Sequence, residues 1–282
     1  MLNKLTRTVL LVAMVVGAPN VFAGSIVLTG HDPDFHAQSG PGENPTGAQN
    51  FISASMAFIL NPTYNPYVTP TGGTFLFVEG SCGTSCGGHR DGDPGLVLSG
   101  YSNFVEADAS TLNSQLDLLG SKYAGLVIAS DFGANLTQAE LDILNSRSSS
   151  IIAFLNSGGG LFAMAESGAP YGLTSSGQFG YLPFIVTSTA FNQSESGNSV
   201  TACGSAMGLT NSDVNGNFSH NIFTSTGGMC VVDYDASGDI LSLNTRSQVS
   251  ETGVVPEPAS LALLGTGLIG LAGAMRRKLL AN

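Results

Sequence analysis

Tryptophan is absent from the 282-residue chain, and charge of either sign is sparse, at 10% of residues. Lys and Arg together number nine, against 20 Asp and Glu. A nucleic-acid-binding protein needs a basic face, so this deficit excludes that class. Disorder is excluded by the opposite excess, because 43% of the residues are hydrophobic and a disordered chain has few. A phosphate-binding glycine loop is also missing, since Gly158-Gly159-Gly160 precedes an apolar strand pattern instead of opening a helix. Nor does spacing define a Ser-His-Asp triad, although Ser167 and His220 are present among many other serines.

The few basic residues are concentrated at the ends: Lys4, Arg7, Arg276, Arg277 and Lys278 are five of the nine. Between Gly24 and Val255 only Arg90, Lys122, Arg147 and Arg246 face every acid except Glu257, which leaves a strongly anionic body. Such a surface repels phosphates and anionic membranes and favours cations.

Residues 1–23 combine a basic start, an apolar run from Val9 to Val16 and a small-residue Val21-Phe22-Ala23 end. This pattern is a secretory signal peptide, with cleavage expected between Ala23 and Gly24 by signal peptidase. The run is too short for the roughly 20 apolar residues of a spanning helix. Residues 256–282 carry Pro256-Glu257-Pro258, an apolar stretch from Leu261 to Met275, and Arg276-Arg277-Lys278. Basic residues stay cytoplasmic, so a transmembrane helix here would leave the body outside the inner membrane. This end resembles the PEP-CTERM sorting signal. The resemblance implies an exosortase that recognises Pro256, Glu257 and Pro258 and removes the helix and basic tail. It further implies a Gram-negative bacterium with an extracellular polysaccharide matrix, the secretion machinery as a partner, and a final place at the cell surface or in that matrix.

In an oxidising compartment the four cysteines Cys82, Cys86, Cys203 and Cys230 are expected to form two disulfides. Three pairings exist, and the short Gly-containing loop favours Cys82 with Cys86, leaving Cys203 with Cys230. A metal site at Cys82, Cys86 and His89, with Asp91 and Asp93, is the alternative.

Across residues 24–243 the pattern is that of one α/β domain with a mostly parallel sheet flanked by helices, followed by an exit linker over 244–255. Apolar runs predict strands at Ser25–Thr29, Phe75–Glu79, Leu96–Ser99, Gly125–Ser130 and Leu161–Ala165. Helices are expected over Ala48–Leu60 and Ser110–Leu119. Another is expected over Thr137–Asn156, where Thr137 and Glu140 make a capping box. The last strand pair with its helix is a βαβ unit, which requires a parallel sheet covered on both faces. Met229–Tyr234 and Ile240–Leu243 predict a hairpin.

Ligands gather at the carboxyl ends of parallel strands, which nominates His31, Asp32, His36, Glu79, Asp131, Glu166 and Ser167. Thr29-Gly30-His31, Tyr123 to Ile128, Gly158 to Gly168 and His220-Asn221 resemble the class I glutamine amidotransferase-like fold, in its trehalose-utilisation-type branch. That resemblance implies a nucleophilic cysteine on the turn after the Leu161 strand. Ala165, Glu166 and Ser167 occupy that turn here, so glutamine hydrolysis by the family route is not expected.

Two readings of the domain follow. One is a binding or structural domain, with glycan or a cation as ligand. The other is a metal- or carboxylate-dependent hydrolase acting on a carbohydrate or amide, with Glu166 as base beside Asp131 and His31. Glu166 as a helix-terminal cap is the plain alternative to the base. His31 and His36, with their carboxylate neighbours, suit zinc or manganese. Asp233, Asp235, Ser237, Gly238 and Asp239 match the opening of a calcium loop, although Asn244 stands at its twelfth position and a hairpin turn explains the same residues.

Overall fold

Four short strands form where the sequence runs apolar on both faces, β1 (Ser25–Thr29), β2 (Phe75–Val78), β4 (Gly125–Ile128) and β5 (Gly160–Ala163), and a fifth that the apolar runs did not mark, β3 (Phe104–Ala107), lies at the edge with Glu106 exposed. They lie parallel in the order β3-β2-β4-β5-β1. Beyond β1 the sheet changes character. β10 (Ile240–Thr245), β8 (Asn221–Thr226) and β6 (Val186–Ala190) continue it antiparallel, and β9 (Cys230–Tyr234) pairs with β10 and with the short β7 (Ser199–Val200). The sheet is therefore mixed, half parallel and half antiparallel, and not mostly parallel. The described residues of this computed structural model are 23–255 apart from 39–42, 71, 81–90, 132–134, 169–172, 174–176, 183–185, 191–192 and 251–252. The expected signal peptide up to Phe22, the sorting segment 256–282, Cys82, Cys86 and His89 lie outside them. Among the described residues no helix is long and apolar enough to cross a membrane.

Alternate residues of the buried strands feed two cores. Val27, Phe75, Phe77, Val127 and Phe162 face α2 (Pro45–Ile59), which contributes Phe51, Ile52, Met56 and Ile59. Asn44 caps α2 by accepting from the Gly47 amide at 3.0 Å, and Pro45 fits its first turn. Ile26, Leu28, Leu126, Ile128 and Leu161 face α4 (Leu112–Leu116), α5 (Gln138–Ser146) and α6 (Ser148–Asn156) on the other side. Gly160 lets α2 press on the sheet, because a Cβ there would sit 2.5 Å from the Ile59 carbonyl.

Three local expectations need correction. Leu96–Ser99 is not a strand but the end of α3 (Asp93–Leu98), with Pro94 in its first turn and Leu96 buried while Val97 and Leu98 are exposed. The helix over Thr137–Asn156 is two helices that meet at Arg147, whose amide is shared between the Ile143 and Leu144 carbonyls. Ser146 Oγ donates to the Ile143 carbonyl at 2.7 Å, and this side-chain competition falls in a serine-rich stretch where the helix loses its register. The segment after Leu243 is not a free linker: Asn244 and Thr245 extend β10 against β1, and β11 (Gln248–Ser250) and β12 (Gly253–Val255) form a further hairpin. The Thr137–Glu140 capping box and the β9–β10 hairpin are present as expected.

Candidate functional site at the parallel–antiparallel junction

Strand β1 sits where the sheet changes direction, and its carboxyl end collects side chains from both halves. After Thr29, whose Oγ1 meets Ser242 Oγ at 2.8 Å, the chain passes Gly30 under β8. A Cβ on Gly30 would lie 1.9 Å from the Asn221 carbonyl, so this approach requires glycine. The His220 amide donates to the Gly30 carbonyl at 2.6 Å, and His31 bridges Ser219. The two histidines are thus placed by sheet pairing.

Asp32 then precedes the single-turn helix α1 (Pro33–His36) without using its side chain as a cap. Its carboxylate is free to face inward. One helical turn brings His36 back over it, with Nε2 3.1 Å from Asp32 Oδ1, and His220 Nε2 lies 3.0 Å from Asp32 Oδ2. All three residues are buried, Asp32 at 0% exposure. The two imidazoles thus flank the carboxylate, one nitrogen against each oxygen. One donor atom each from Asp32, His36 and His220 lies within 4.8 Å of the others, which is the group of three among the described residues that could hold a metal ion. His36 Nδ1 faces Glu43 Oε1 at 3.8 Å.

Burial by itself would raise the Asp32 carboxyl, but the His220 and His36 imidazoles outweigh it and hold the group well below the ordinary carboxylate range. For His36, burial works downward, and the Asp32 and Glu43 carboxylates reverse it to a net rise.

The remaining candidates are engaged elsewhere. His31 Nε2 lies 2.9 Å from Asp233 Oδ2, so these two form their own pair. Asp235 Oδ1 accepts from the Ser237 and Asp239 amides, both at 2.8 Å, so Asp235 closes the hairpin turn while Asp233 faces the other way. The structure does not bring His31, His36, Asp233 and Asp235 around one point. Asp131 accepts from the Ser167 and Gly168 amides at 2.8 Å and from Ser167 Oγ at 3.0 Å, tying β4 to the turn after β5. Glu166 is fully buried and accepts from the Phe179 amide and, at 2.6 Å, from Tyr181 Oη. Burial pushes the Glu166 carboxyl up to about 8 and Asp131 up to about 6.

Two further buried acids belong to the same end of the sheet. Asp34 accepts from the Ser130 amide at 2.8 Å, and burial together with the neighbouring Asp32 charge raises it to about 6. Glu79 accepts from the Gly92 amide, and burial raises it to about 9. Sequence reasoning named Asp32 and His220 singly but did not join them. The one local signal was the i,i+4 spacing of Asp32 and His36. A disulfide links Cys203, in α7 (Ala202–Ala206), to Cys230, with Cα atoms 6.3 Å apart.

No curated protein matches the chain. The PEP-CTERM protein-sorting motif matches residues 254–278. The chain is therefore exported, processed by exosortase, and held at the membrane transiently through its C-terminal end.

Proposed function

We propose that the α/β domain is an extracytoplasmic metal-binding module, holding one divalent transition-metal ion through Asp32, His36 and His220. The observation that carries this reading is the convergence of one donor atom each from the buried Asp32, His36 and His220 within 4.8 Å of one another. Donors around a tetrahedral ion with bonds of about 2.0 Å stand about 3.3 Å apart, and His36 Nε2 and His220 Nε2 lie 3.1 and 3.0 Å from Asp32 Oδ1 and Oδ2 respectively. Two imidazoles with a carboxylate suit zinc above calcium or magnesium. Strand-end placement at the junction agrees with where open sheets bind ligands.

The domain belongs, in this reading, to the amidotransferase-like and flavodoxin-like class with its nucleophilic cysteine lost. Counted from β2, the parallel strands follow the flavodoxin-like order, with β1 filling the fifth place. Ala165, Glu166 and Ser167 hold the nucleophile turn, and the Glu166 carboxylate is occupied by Tyr181 and Phe179. After exosortase processing the module resides at the cell surface or in the extracellular polysaccharide, where its anionic body stays soluble and collects cations.

Elemental mass spectrometry of the exported protein, purified without chelator, tests the proposal. About one zinc or similar ion per chain is expected, falling below a tenth of that in His36→Ala and His220→Ala proteins whose circular dichroism is unchanged. Metal retained by a folded His36→Ala/His220→Ala double variant, or no metal taken up on zinc loading, overturns it.

A further inference from the structure

We infer that the ion held by Asp32, His36 and His220 keeps one coordination position for an exogenous ligand the size of water or a small anion. The inference rests on the metal reading above and concerns what the fourth position does. Structural zinc sites are closed by four protein ligands, whereas sites that bind and exchange small ligands offer three and leave the fourth to water. The described residues provide three.

A further imidazole of the same pocket, His31, is held back. Its Nε2 is 2.9 Å from the buried Asp233 carboxylate, and its ring packs edge-on to Phe51 with centroids 5.6 Å apart. His31 thereby becomes part of a wall. Together with Asp32, His36, Phe51, Val214 and Asn217 it lines a narrow pocket of ≈ 10 Å³. That volume is about the space of one water molecule. The pocket holds water or hydroxide, and its open side lets a monodentate anion such as azide reach the ion end-on. A sugar ring or a peptide does not fit against the ion without movement of α1 or α2.

The pocket wall is mixed in a way that suits such a ligand. Ala48, Phe51 and Val214 exclude bulk water, while Asn217 and Asp213 stand at its polar side. A small anion would exchange its hydration for the ion's charge there, in surroundings where the electrostatic attraction is less screened than at the surface.

Cobalt(II) replaces zinc as a visible probe. The protein is loaded with cobalt, freed of excess metal, and titrated with sodium azide while the ligand-field bands and the bound cobalt are both followed. The expected result is a saturable band shift with cobalt content unchanged, and the same shift in His31→Ala protein. Cobalt bound with tetrahedral bands that azide does not move shows a closed site, and overturns this inference while leaving the metal reading in place. Loss of cobalt from folded His31→Ala protein identifies His31 as the fourth ligand and overturns it too. Failure of the parent to bind cobalt at all removes the metal reading and this inference with it.

Discussion

Glu166 offers a quantitative test of how the buried acids work. Its carboxyl is 0% exposed, accepts from the Phe179 amide and Tyr181 Oη, and is pushed by burial from 4.5 to about 8. Over that window the folded protein keeps a proton that the unfolded chain has released. The stabilisation is therefore complete below about pH 4.5 and is lost progressively as pH rises toward about 8. Each pH unit inside the window removes about 1.4 kcal/mol. For a body of this size that corresponds to about 3 to 5 °C of melting temperature between pH 6 and 7. Glu166→Gln keeps the shape and an acceptor for the Phe179 amide but has no proton to lose. Asp34, Asp131 and Glu79 also titrate, in both proteins alike, so the difference of the two pH slopes isolates Glu166. Thermal melts by circular dichroism at pH 6 and pH 7 give that difference. Parallel slopes in parent and variant would refute the reasoning and show that Glu166 is ionised in the fold.

Gly30→Ala should destabilise the domain by about 1–3 kcal/mol or more, because the new Cβ meets the Asn221 carbonyl at 1.9 Å and backbone must part from backbone. A denaturant midpoint equal to the parent's would contradict the packing of β1 under β8. Cys203→Ser opens a loop of 27 residues' separation, for which the chain-entropy relation gives a loss of about 3.5 kcal/mol. The check is the melting temperature with and without reductant: parent and variant should reach the same value on reduction, with the parent falling further.

Much of the parallel half was legible because four of its five strands are short apolar runs buried on both faces, and such runs stand out in any sequence, whereas β3, with Glu106 exposed at the edge, did not. Ser25–Thr29, Phe75–Val78 and Gly125–Ile128 are examples. The antiparallel half was less legible. Strand β8 reads Asn-Ile-Phe-Thr-Ser-Thr and β6 Val-Thr-Ser-Thr-Ala, half-polar segments whose pairing depends on partners far along the chain. Leu96 misled because four consecutive residues fit a strand or a helical turn equally, and Pro94 with the burial of Leu96 alone favoured the turn. Arg147 could not be seen as a break, since serine and asparagine interrupt helices only when their side chains find backbone carbonyls.

The sequence by itself determined the sorting motif at the C-terminal end, the acidic character of the body and the Thr137–Glu140 cap, and it favoured Cys203 with Cys230 among three pairings. These are local or compositional features, written in contiguous residues or in the few partners available. Only the tertiary structure decided which acids and histidines meet. Asp32 and His36 are one helical turn apart, but His220 joins them because β8 crosses Gly30 in a particular register, and the same register sends His31 to Asp233. Glu166, at the place where the resemblance put a nucleophile, was drawn away to Tyr181 by packing. Long-range register is set by the whole sheet at once, so no spacing along the chain could have announced that junction.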